Sequence, residues 1–495
     1  MWQHLPRSGH KSGKRQIYAT ELTFPASLTL MPDTATTAFN RFALGARFDL
    51  NPADRSRISA DPRGWLKSVA QPDTALLTNP DLQDSTSNLV AIFQQDQMEK
   101  QAREAKLEIA AANAPQMFGP PAPKPAVQNK IFMAEAQARY QKAFDDPNGF
   151  TERLVWFWSN HFCISVSKGN QAMATAGSFE REAIRPFVLG KFADMLRTVE
   201  QHPAMLYFLD NRDSQGPDSK GGQKSNKGLN ENLAREIMEL HTLGVGSGYS
   251  QTDVTSLARV ITGWTYPGLN NNNHEPGRFF FANYTHEPGP QKVLGKAYAQ
   301  NDIAQGEAVL NDLARHPATA HHIAFKLARH FVADQPPQAL VQKLAKVFLD
   351  TEGDLKAVTF ALIDDDAAWN APLQKLRSPQ EYLLAASRAL NLPPHDPKPL
   401  VNALNALGQP LWRPSGPNGF GDQAQDWASA EGMKTRLSYA SQMAKSSPVP
   451  GNPIDLANII LADAASPDTR QTVSRAESKQ QGLALLIMSP EFQRR

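Results

Sequence analysis

Apolar residues recur at helical spacing through most of this chain, and this periodicity is the feature that most constrains its fold. From Ser250 onwards the apolar positions follow i, i+3, i+4 and i+7, the spacing of one face of an α-helix, at Val254, Leu257, Ala258 and Ile261. Residues 318–332 and 338–350 carry the same apolar stripe. The pattern predicts an all-α, mostly helical fold with at most short strands.

Signals at helix ends agree with this prediction. Ser250 and Asp253 resemble a capping box with Asp in place of Glu, and Gly263 can end the helix that they start. Few runs alternate β-branched and polar residues, and residues 279–282 are the best short strand candidate. We therefore expect no parallel sheet.

The composition excludes several classes of protein. Apolar residues make up 41% of the 495 residues, which is enough for a core. The 51 Lys and Arg against 49 Asp and Glu give a formal charge of +2 without a basic block, so no electrostatic feature indicates nucleic-acid binding. A lone Cys163 excludes an internal disulfide and a cysteine zinc site. No apolar run approaches roughly 18 residues, so we expect no membrane insertion.

The sequence predicts a short N-terminal extension followed by one large domain. Residues 1–35 begin with a basic stretch that lacks a secretory cleavage site, and Met31 offers a second start. We interpret 1–35 as a disordered extension or a mis-assigned start, and 36–495 as a single helical domain. Without an export signal of its own, the protein is expected in the cytoplasm.

Two insertions interrupt the helical pattern of this domain. Residues 94–128 begin with helical composition and then carry five prolines between positions 115 and 125, which forbid a helix there. Residues 213–228 form a loop rich in Gly, Ser and Lys, with almost no apolar residue. We expect both to be surface segments that a protease cuts without loss of the fold.

The stretch 229–244 (LNENLAREIMELHTLG) carries the most informative polar residues. On a helical wheel its buried stripe consists of Leu229, Leu233, Ile237 and Leu240. Glu236 lies only about 20° outside this stripe, Glu239 lies on the same flank, and His241 borders the opposite flank. A carboxylate so close to the core needs an arginine, a metal or a raised pKa.

Two interpretations of this helix remain open. Glu236 and Glu239 form a pair of metal ligands or an acid and base, or both are structural, with Glu236 on a buried arginine and Glu239 on Arg235. In either case we expect Glu236 to be more buried and better paired than Glu239 or Glu231. Glu236→Gln should then lower the stability of the protein.

A second helix, at 151–162 (TERLVWFWSNHF), is apolar nearly all round and is therefore expected to be central. Asn160 and His161 then carry polar groups into a poorly solvated place. A lone histidine there is more often a hydrogen-bonded core residue than a ligand. Two helices that each bring polar groups inward nevertheless favour one shared polar centre.

Eight stretches carry a resemblance to a known bacterial family, and they stand in the family's order. They are FNRFALGARFD (39–49), RLVWFWSNHF (153–162), NENLAREIMELHTLGVGSGYSQTDVTSLARVITGW (230–264), THEPGPQKVLG (285–295), KLARHFV (326–332), LRSPQEYLLAASRAL (376–390), LGQPLWRPSGPNGF (407–420) and MSPEFQ (488–493). With them the chain resembles the family called domain of unknown function 1800 (DUF1800), from about Phe39 to its C-terminus. Glu287 stands where family members usually have Asp.

The resemblance implies a large, mostly helical protein without an established activity. Genes of this family often lie beside those of a family that resembles sulfatases and alkaline phosphatases and commonly carries a twin-arginine signal. A sulfatase- or phosphatase-like protein encoded nearby is therefore the expected partner, and export together with this signal-bearing partner is an alternative to the cytoplasm.

Two functions follow as hypotheses. The first is a metal-assisted hydrolase or oxidase with a polar site between core helices, where a divalent metal such as Fe, Mn or Zn would suit the ligands. Its candidate catalytic residues are Glu236, Glu239 and His161, and its candidate binding residues are Asn160, Asn232, Arg235, His286 and Lys292. The second is a non-catalytic helical binding or maturation partner of the neighbouring protein. Convergence of three of these side chains in a pocket favours chemistry, whereas Arg–Glu pairing favours a structural role.

Overall fold

Prolines mark the starts of helices, which explains how a chain with 37 prolines folds as helices. Ten of the described α-helices begin on a proline. At that position the missing N–H has no helical partner to lose, and the fixed φ suits the helix. The residue before the proline often caps the helix, as Asn51 does for Asp54 and Ser378 does for Glu381.

The computed structural model describes residues 34–111, 126–225, 227–271 and 273–495. The N-terminal half of this part contains helices α1 to α12, at Thr34–Thr37, Pro52–Ala60, Pro62–Val69, Pro72–Ala75, Ser85–Ala111, Val127–Asp145, Phe150–His161, Asn170–Phe179, Phe192–Gln201, Pro203–Phe208, Asn232–Glu236 and Gln251–Val260. Three π-helical turns accompany them, at Ala38–Phe42, Glu180–Ile184 and Ile237–His241.

The C-terminal half contains helices α13 to α25. Their bounds are Ile303–Ala314, Pro317–Phe331, Gln338–Asp350, Leu355–Asp364, Asp366–Asn370, Pro379–Ala389, Pro397–Ala406, Ala424–Trp427, Ala430–Ser446, Pro453–Ile460, Pro467–Ser474, Lys479–Met488 and Pro490–Gln493. Short 3₁₀ turns lie at Val166–Lys168, Arg185–Phe187, Asn211–Asp213, Gly222–Lys224 and Ala462–Ala464.

The described strands form two small antiparallel pairs between α12 and α13. Strand β1 (Trp264–Thr265) pairs with β2 (Phe280–Phe281), and β3 (Gln291–Val293) pairs with β4 (Lys296–Tyr298). The first pair contains the strand predicted at 279–282. Helices dominate the rest of the described chain, so the all-α prediction is confirmed, and the described residues contain no parallel sheet.

The helix predictions from periodicity are also confirmed. Helix α12 begins after Ser250, which forms a capping box with Asp253. Gly263, just beyond this helix, has a φ of +84°, a conformation that favours glycine. The stripes predicted at 318–332 and 338–350 correspond to α14 and α15.

One continuous apolar core extends from Ala35 to Phe492. Helix α7 lies deep in it, because every residue from Phe150 to Trp158 is buried, as its all-round apolar sequence predicts. The helix packs against α3, α4 and the π-turn Glu180–Ile184. The N-terminal part of α7 is therefore buried, and its C-terminal end, with Asn160 and His161, brings polar groups to the interior.

The two predicted insertions differ in structure. Helix α5 continues through the first part of 94–128 and exposes Met98 and Leu107, whereas the proline-rich part lies outside the described residues, as does most of the extension 1–35. The 213–228 loop, in contrast, is fastened to the protein. The backbone N–H of Asp218 donates to the buried Glu287 at 2.9 Å, and Ser219 is itself buried. Hydrogen bonds to the neighbouring segment around Glu287 therefore hold this loop in place, since it has almost no apolar residue to pack against the core.

No helix in the described ranges combines the length and the apolar character needed to cross a membrane.

Candidate functional site

A cavity of about 340 Å³ opens at the C-terminal end of α7. Its walls come from α7, the middle of α14, the start of α18 and the segment 409–426. Four aromatic side chains and several charged groups line it together: Trp156, Phe157, Trp412, Phe420, His161, Lys326, Arg329, His330, Glu381, Asp422 and Arg495. Its volume is that of a site for a small organic molecule.

Helix α14 supplies one wall of the cavity through Lys326, Arg329 and His330. Lys326 and His330 are four positions apart and share one face of the helix with His322, which lies outside the cavity lining. The neighbouring stripe, including Ile323 and Leu327, is buried in the core and anchors the helix. The core stripe therefore fixes the polar face of α14 against α7.

Lys326 is the central cation of this wall. Its Nζ donates a hydrogen bond to His161 Nδ1 at 2.9 Å, and in the described part of the chain it forms no ion pair with a carboxylate. Burial lowers the pKa of Lys326 to about 8, although Cys163 and Asp422 oppose the shift. The amine is therefore a poorly compensated charge that lines a cavity.

His161 fixes the direction of this contact. Its Nε2 lies 3.1 Å from the carbonyl oxygen of His241, and because a carbonyl can only accept, Nε2 carries the proton. The lone pair of Nδ1 then faces Lys326. Burial, together with Lys326, holds the pKa of His161 well below its usual range, so the ring is neutral at pH 7.

The charged groups around Glu381 and Asp422, which also line the cavity, compensate one another. Glu381 accepts from Arg495 Nε at 2.9 Å and lies 3.3 Å from Arg153 Nη2. Burial opposes its ionisation, but Arg495 and Arg153 hold the pKa of Glu381 well below its usual range. Asp422 lies 3.5 Å from Arg495 Nη2 and 3.9 Å from Lys375 Nζ. It also accepts a hydrogen bond at 3.2 Å from Nδ1 of His330, which is neutral at pH 7 because burial lowers its pKa to about 4.

A second compensated group borders the cavity through Arg139. Glu180 accepts from Arg139 at 2.8 Å and from Arg185 at 3.0 Å, and Arg185 also reaches Glu152 at 2.7 Å. All four side chains are buried. Each charge in this group therefore meets an opposite charge within hydrogen-bonding distance.

Asn160 holds the segment that covers the cavity. Its Nδ2 donates to the carbonyl of Phe420 at 3.0 Å, and its Oδ1 accepts from the N–H of Phe420 at 2.8 Å. Ser165 Oγ donates to the carbonyl of Pro414 at 2.8 Å in the same segment. Gly419 is required here, because its φ is +77° and a Cβ would lie 2.5 Å from the carbonyl oxygen of Asn160.

The helix predicted at 229–244 has a different geometry from the one assumed for it. An α-helical turn over Asn232–Glu236 is followed by the π-turn Ile237–His241. The i to i+5 bonds of a π-turn break the 100° wheel and bring residues five apart onto one face. Glu236 and His241, which the wheel placed on opposite flanks, are consequently close enough to interact electrostatically.

Glu236 departs from the expectation that it is buried and paired. It is half-buried, as are Glu231 and Glu239, and its carboxylate makes no hydrogen bond or ion pair with a described residue. Burial raises the pKa of Glu236, while His241 opposes and Glu239 reinforces the rise. The expectation of a hydrogen-bonded or ion-paired Glu236 was therefore wrong for the described residues.

The other candidates on this helix lie towards solvent. Arg235 contacts Glu231 at 3.1 Å and Glu239 at 3.5 Å, the second of which is the structural pairing considered for Glu239. Asn232 is exposed. Arg–Glu pairing was the signature expected of a structural role.

His286 and Lys292 also lie outside the cavity. His286 is buried, and its Nδ1 donates to the carbonyl of Thr262 at 2.9 Å, whereas Lys292 is exposed on β3. Of the predicted site residues, the structure therefore brings only Asn160 and His161 to the cavity wall. The expected meeting of α7 with the segment 229–244 is present as the hydrogen bond from His161 Nε2 to the backbone carbonyl of His241.

The residues that sequence reasoning missed are those of α14 and of the covering segment. Lys326 and His330 stand in KLARHFV, and Asn418, Phe420 and Asp422 lie in or beside LGQPLWRPSGPNGF. The available signal was the spacing of His322, Lys326 and His330. That spacing is also typical of a solvent-facing helix surface, so the signal alone is weak.

Within the described ranges, no group of three His, Cys, Asp or Glu side chains could hold a metal ion.

A family profile relates the chain to known proteins. A search of curated proteins and a search of solved structures each found no match. The profile of a family described as "Protein of unknown function (DUF1800)" matches residues 37–494, nearly the whole chain. The chain therefore belongs to the DUF1800 family.

Proposed function

We propose that the cavity binds a small organic anion, with Lys326 as its main electrostatic contact. The observation that carries this proposal is the charge balance of the cavity wall. Arg139 and Arg495 are ion-paired with buried carboxylates, whereas Lys326 has only a neutral imidazole as its partner in the described chain. An anionic ligand supplies the missing charge.

Arg329 extends the positive side of the cavity. It lies one turn beyond Lys326 on α14, and its Nε donates to the carbonyl of Asp334 at 3.1 Å. Its guanidinium lies 4.3 Å from the ring centroid of Phe325. These contacts hold the side chain in place while leaving its terminal nitrogens for a carboxylate, which a guanidinium can bind through two parallel hydrogen bonds.

The aromatic side chains define the rest of the ligand. Trp156, Phe157, Trp412 and Phe420 give the cavity apolar surfaces beside Lys326 and Arg329. A small molecule with a carboxylate at one end and an apolar or aromatic body fits this division.

This proposal keeps the polar site between core helices that the sequence predicted. It assigns the site to the nitrogen groups of Lys326, His161 and Arg329, since no described cluster offers three metal ligands. Asn160 acts indirectly, by holding the covering segment in position.

Calorimetric titration of the purified protein with 3-phenylpropionate tests the proposal. Lys326→Met should weaken binding roughly tenfold to a hundredfold, because it removes one hydrogen bond to a charged group worth about 1.5–3 kcal/mol. Lys326→Arg keeps the charge and should keep most of the affinity. Lys168→Met, which removes an ion pair with Asp210 outside the cavity, is the matched control. Equal affinity in Lys326→Met and the wild type, or no binding at all, would contradict the proposal.

A further inference from the structure

We propose that Lys326 is a nucleophile that forms an iminium with the keto group of a 2-oxo acid bound in the cavity. This inference rests on the proposed anion site and adds the class of substrate and a covalent step.

The first support is the environment of the amine. Lys326 lines the cavity, and its Nζ makes a hydrogen bond to His161 Nδ1 at 2.9 Å, without a carboxylate partner in the described chain. Lys375 provides the contrast within the same protein. It is buried, but its Nζ lies 2.7 Å from Asp334 Oδ1 and does not line the cavity. An ion-paired ammonium cannot attack a carbonyl.

The second support is that the amine can lose its proton near neutral pH. Burial lowers the pKa of Lys326 to about 8, against Cys163 and Asp422 and with the help of Arg329. At pH 7.4 such an amine is neutral about 200 times more often than a free lysine with a pKa of about 10.4. Desolvation is a known way in which enzymes activate a lysine.

The third support is the imidazole beside the amine. Because His161 Nε2 donates to the carbonyl of His241, Nδ1 presents a lone pair to the nitrogen of Lys326. This lone pair can accept a proton as the amine attacks and return it to the hydroxyl group that leaves. His161 therefore serves as the acid and base of the step.

The reaction balances without a further reactant. The lysine nitrogen bonds to the keto carbon, the carbonyl oxygen becomes a hydroxyl, and the C–O bond then breaks. The ammonium and the ketone give an iminium and one water, whose two hydrogens come from the amine. The positive charge stays on the nitrogen, so no charge is lost from the cavity.

The charge pattern of the cavity favours a 2-oxo acid among carbonyl compounds. In such an acid the carboxylate is bonded directly to the keto carbon. A carboxylate bound by Arg329, which lines the same cavity, brings the keto carbon towards the amine of Lys326, which attacks in its neutral form. The aromatic side chains then contact the remainder of the molecule.

Reductive trapping tests this inference. The full-length protein is incubated with pyruvate, glyoxylate or phenylpyruvate and sodium cyanoborohydride, and modified lysines are located by peptide mass spectrometry. We expect the adduct on Lys326 to exceed that on Lys375 and Lys168 by more than about tenfold, in keeping with the larger neutral fraction of Lys326. Excess 3-phenylpropionate, which has no keto group, should suppress the adduct by occupying the site.

The outcomes separate this inference from the proposed function. Lys326→Arg should bind 3-phenylpropionate and give no adduct at position 326, since a guanidinium is not a nucleophile under these conditions. Binding of 3-phenylpropionate without trapping by any of the three acids overturns the iminium and leaves the anion site intact. Equal labelling of all lysines, or labelling that 3-phenylpropionate does not suppress, also overturns it. Absence of both binding and trapping overturns both proposals.

Discussion

Two groups of charged residues next to helix α7 are organised in opposite ways. In the first, Glu152, Arg185, Glu180 and Arg139 are all buried and each meets an opposite charge. In the second, Lys326 lines a cavity and donates a hydrogen bond to the neutral ring of His161, without a carboxylate partner among the described residues. The first group is complete without a ligand, whereas under the proposed function an anion completes the second. The comparison teaches that the balance of charge, more than the number of charged residues, is what suggests a site.

The largest expected effect comes from breaking the compensated group. Arg185→Met leaves the buried carboxylates of Glu152 and Glu180 without their shared partner, and should lower the free energy of unfolding by about 3–5 kcal/mol. Urea unfolding followed by circular dichroism measures this change. Lys168→Met breaks a more exposed pair and should cost less than about 1 kcal/mol. If the two variants were equally stable, the buried group would not be a structural cluster of the kind described.

The affinity of the cavity for an anion should depend on pH through the ionisation of Lys326. The groups that face Lys326 are His161, Cys163, Asp422 and Arg329. Burial holds the pKa of His161 well below its usual range and raises that of Cys163 to about 12, and the pKa of Asp422 is about 2, so none of these three titrates between pH 7 and 10.

The affinity for 3-phenylpropionate should therefore be constant below the Lys326 pKa of about 8 and decrease above it. The expected decrease approaches tenfold per pH unit, because only the ammonium form attracts the anion. Calorimetry between pH 7 and 10 measures it. Lys326→Arg should remove this dependence, because a guanidinium stays charged through the whole range. A flat profile in the wild type would show that Lys326 is not the main contact.

The sequence predicted those parts of the fold and of the candidate site that depend on residue type and local spacing. Apolar periodicity located α12, α14 and α15, and the all-round apolar pattern of 151–162 predicted a central α7. These features follow from burial, which residue type and spacing largely determine. Asn160 and His161 were found for the same reason, because a polar residue at the end of a buried helix stands out.

The rest of the site depends on contacts between distant parts of the chain. Lys326 and His161 are far apart in sequence, and nothing in KLARHFV distinguishes a lysine in a cavity from one in solvent. The π-turn Ile237–His241 was also invisible, because its sequence fits a regular helical wheel and only the packed structure shows the altered spacing. Glu236 and His241 were assigned to the wrong flanks as a result.

A smaller effect is expected from the segment that covers the cavity. Asn160→Ala removes both hydrogen bonds to the backbone of Phe420 and should lower stability by about 1–2 kcal/mol, with a matching decrease in anion affinity. Asn160→Asp keeps the acceptor at Oδ1 but turns a carboxylate oxygen towards the carbonyl of Phe420 and adds a negative charge to the cavity lining. It should therefore lower anion affinity more than Asn160→Ala does, and unfolding and titration of both variants measure the difference. An Asn160→Ala protein with faster proteolysis elsewhere but not in segment 409–426 would contradict this role.

The smallest expected effect concerns Glu236, which has no ion pair among the described residues and lies outside the cavity lining. Burial raises its pKa, and its surroundings include His241, Glu239, Arg235 and Glu200. A carboxyl whose pKa is higher in the folded state binds a proton more tightly there, so its ionised form disfavours folding. This penalty is absent below the unfolded pKa of about 4.3, grows as pH rises to the folded pKa, and is constant above it.

Glu236→Gln should therefore leave stability unchanged or raise it by less than about 1 kcal/mol at pH 7, since half of the side chain is screened by solvent. The gain should disappear at pH 4, where the wild-type carboxyl is protonated. Glu231→Gln is the matched control on the same helix, because hydrogen bonds from Thr255 and Gln251 lower the pKa of Glu231 and its removal should have the opposite sign. Thermal unfolding at both pH values measures the pair. A Glu236→Gln protein that is clearly destabilised at pH 7 would show that this carboxylate has a partner. The segment 229–244 would then belong with the buried charge pairs of Arg185.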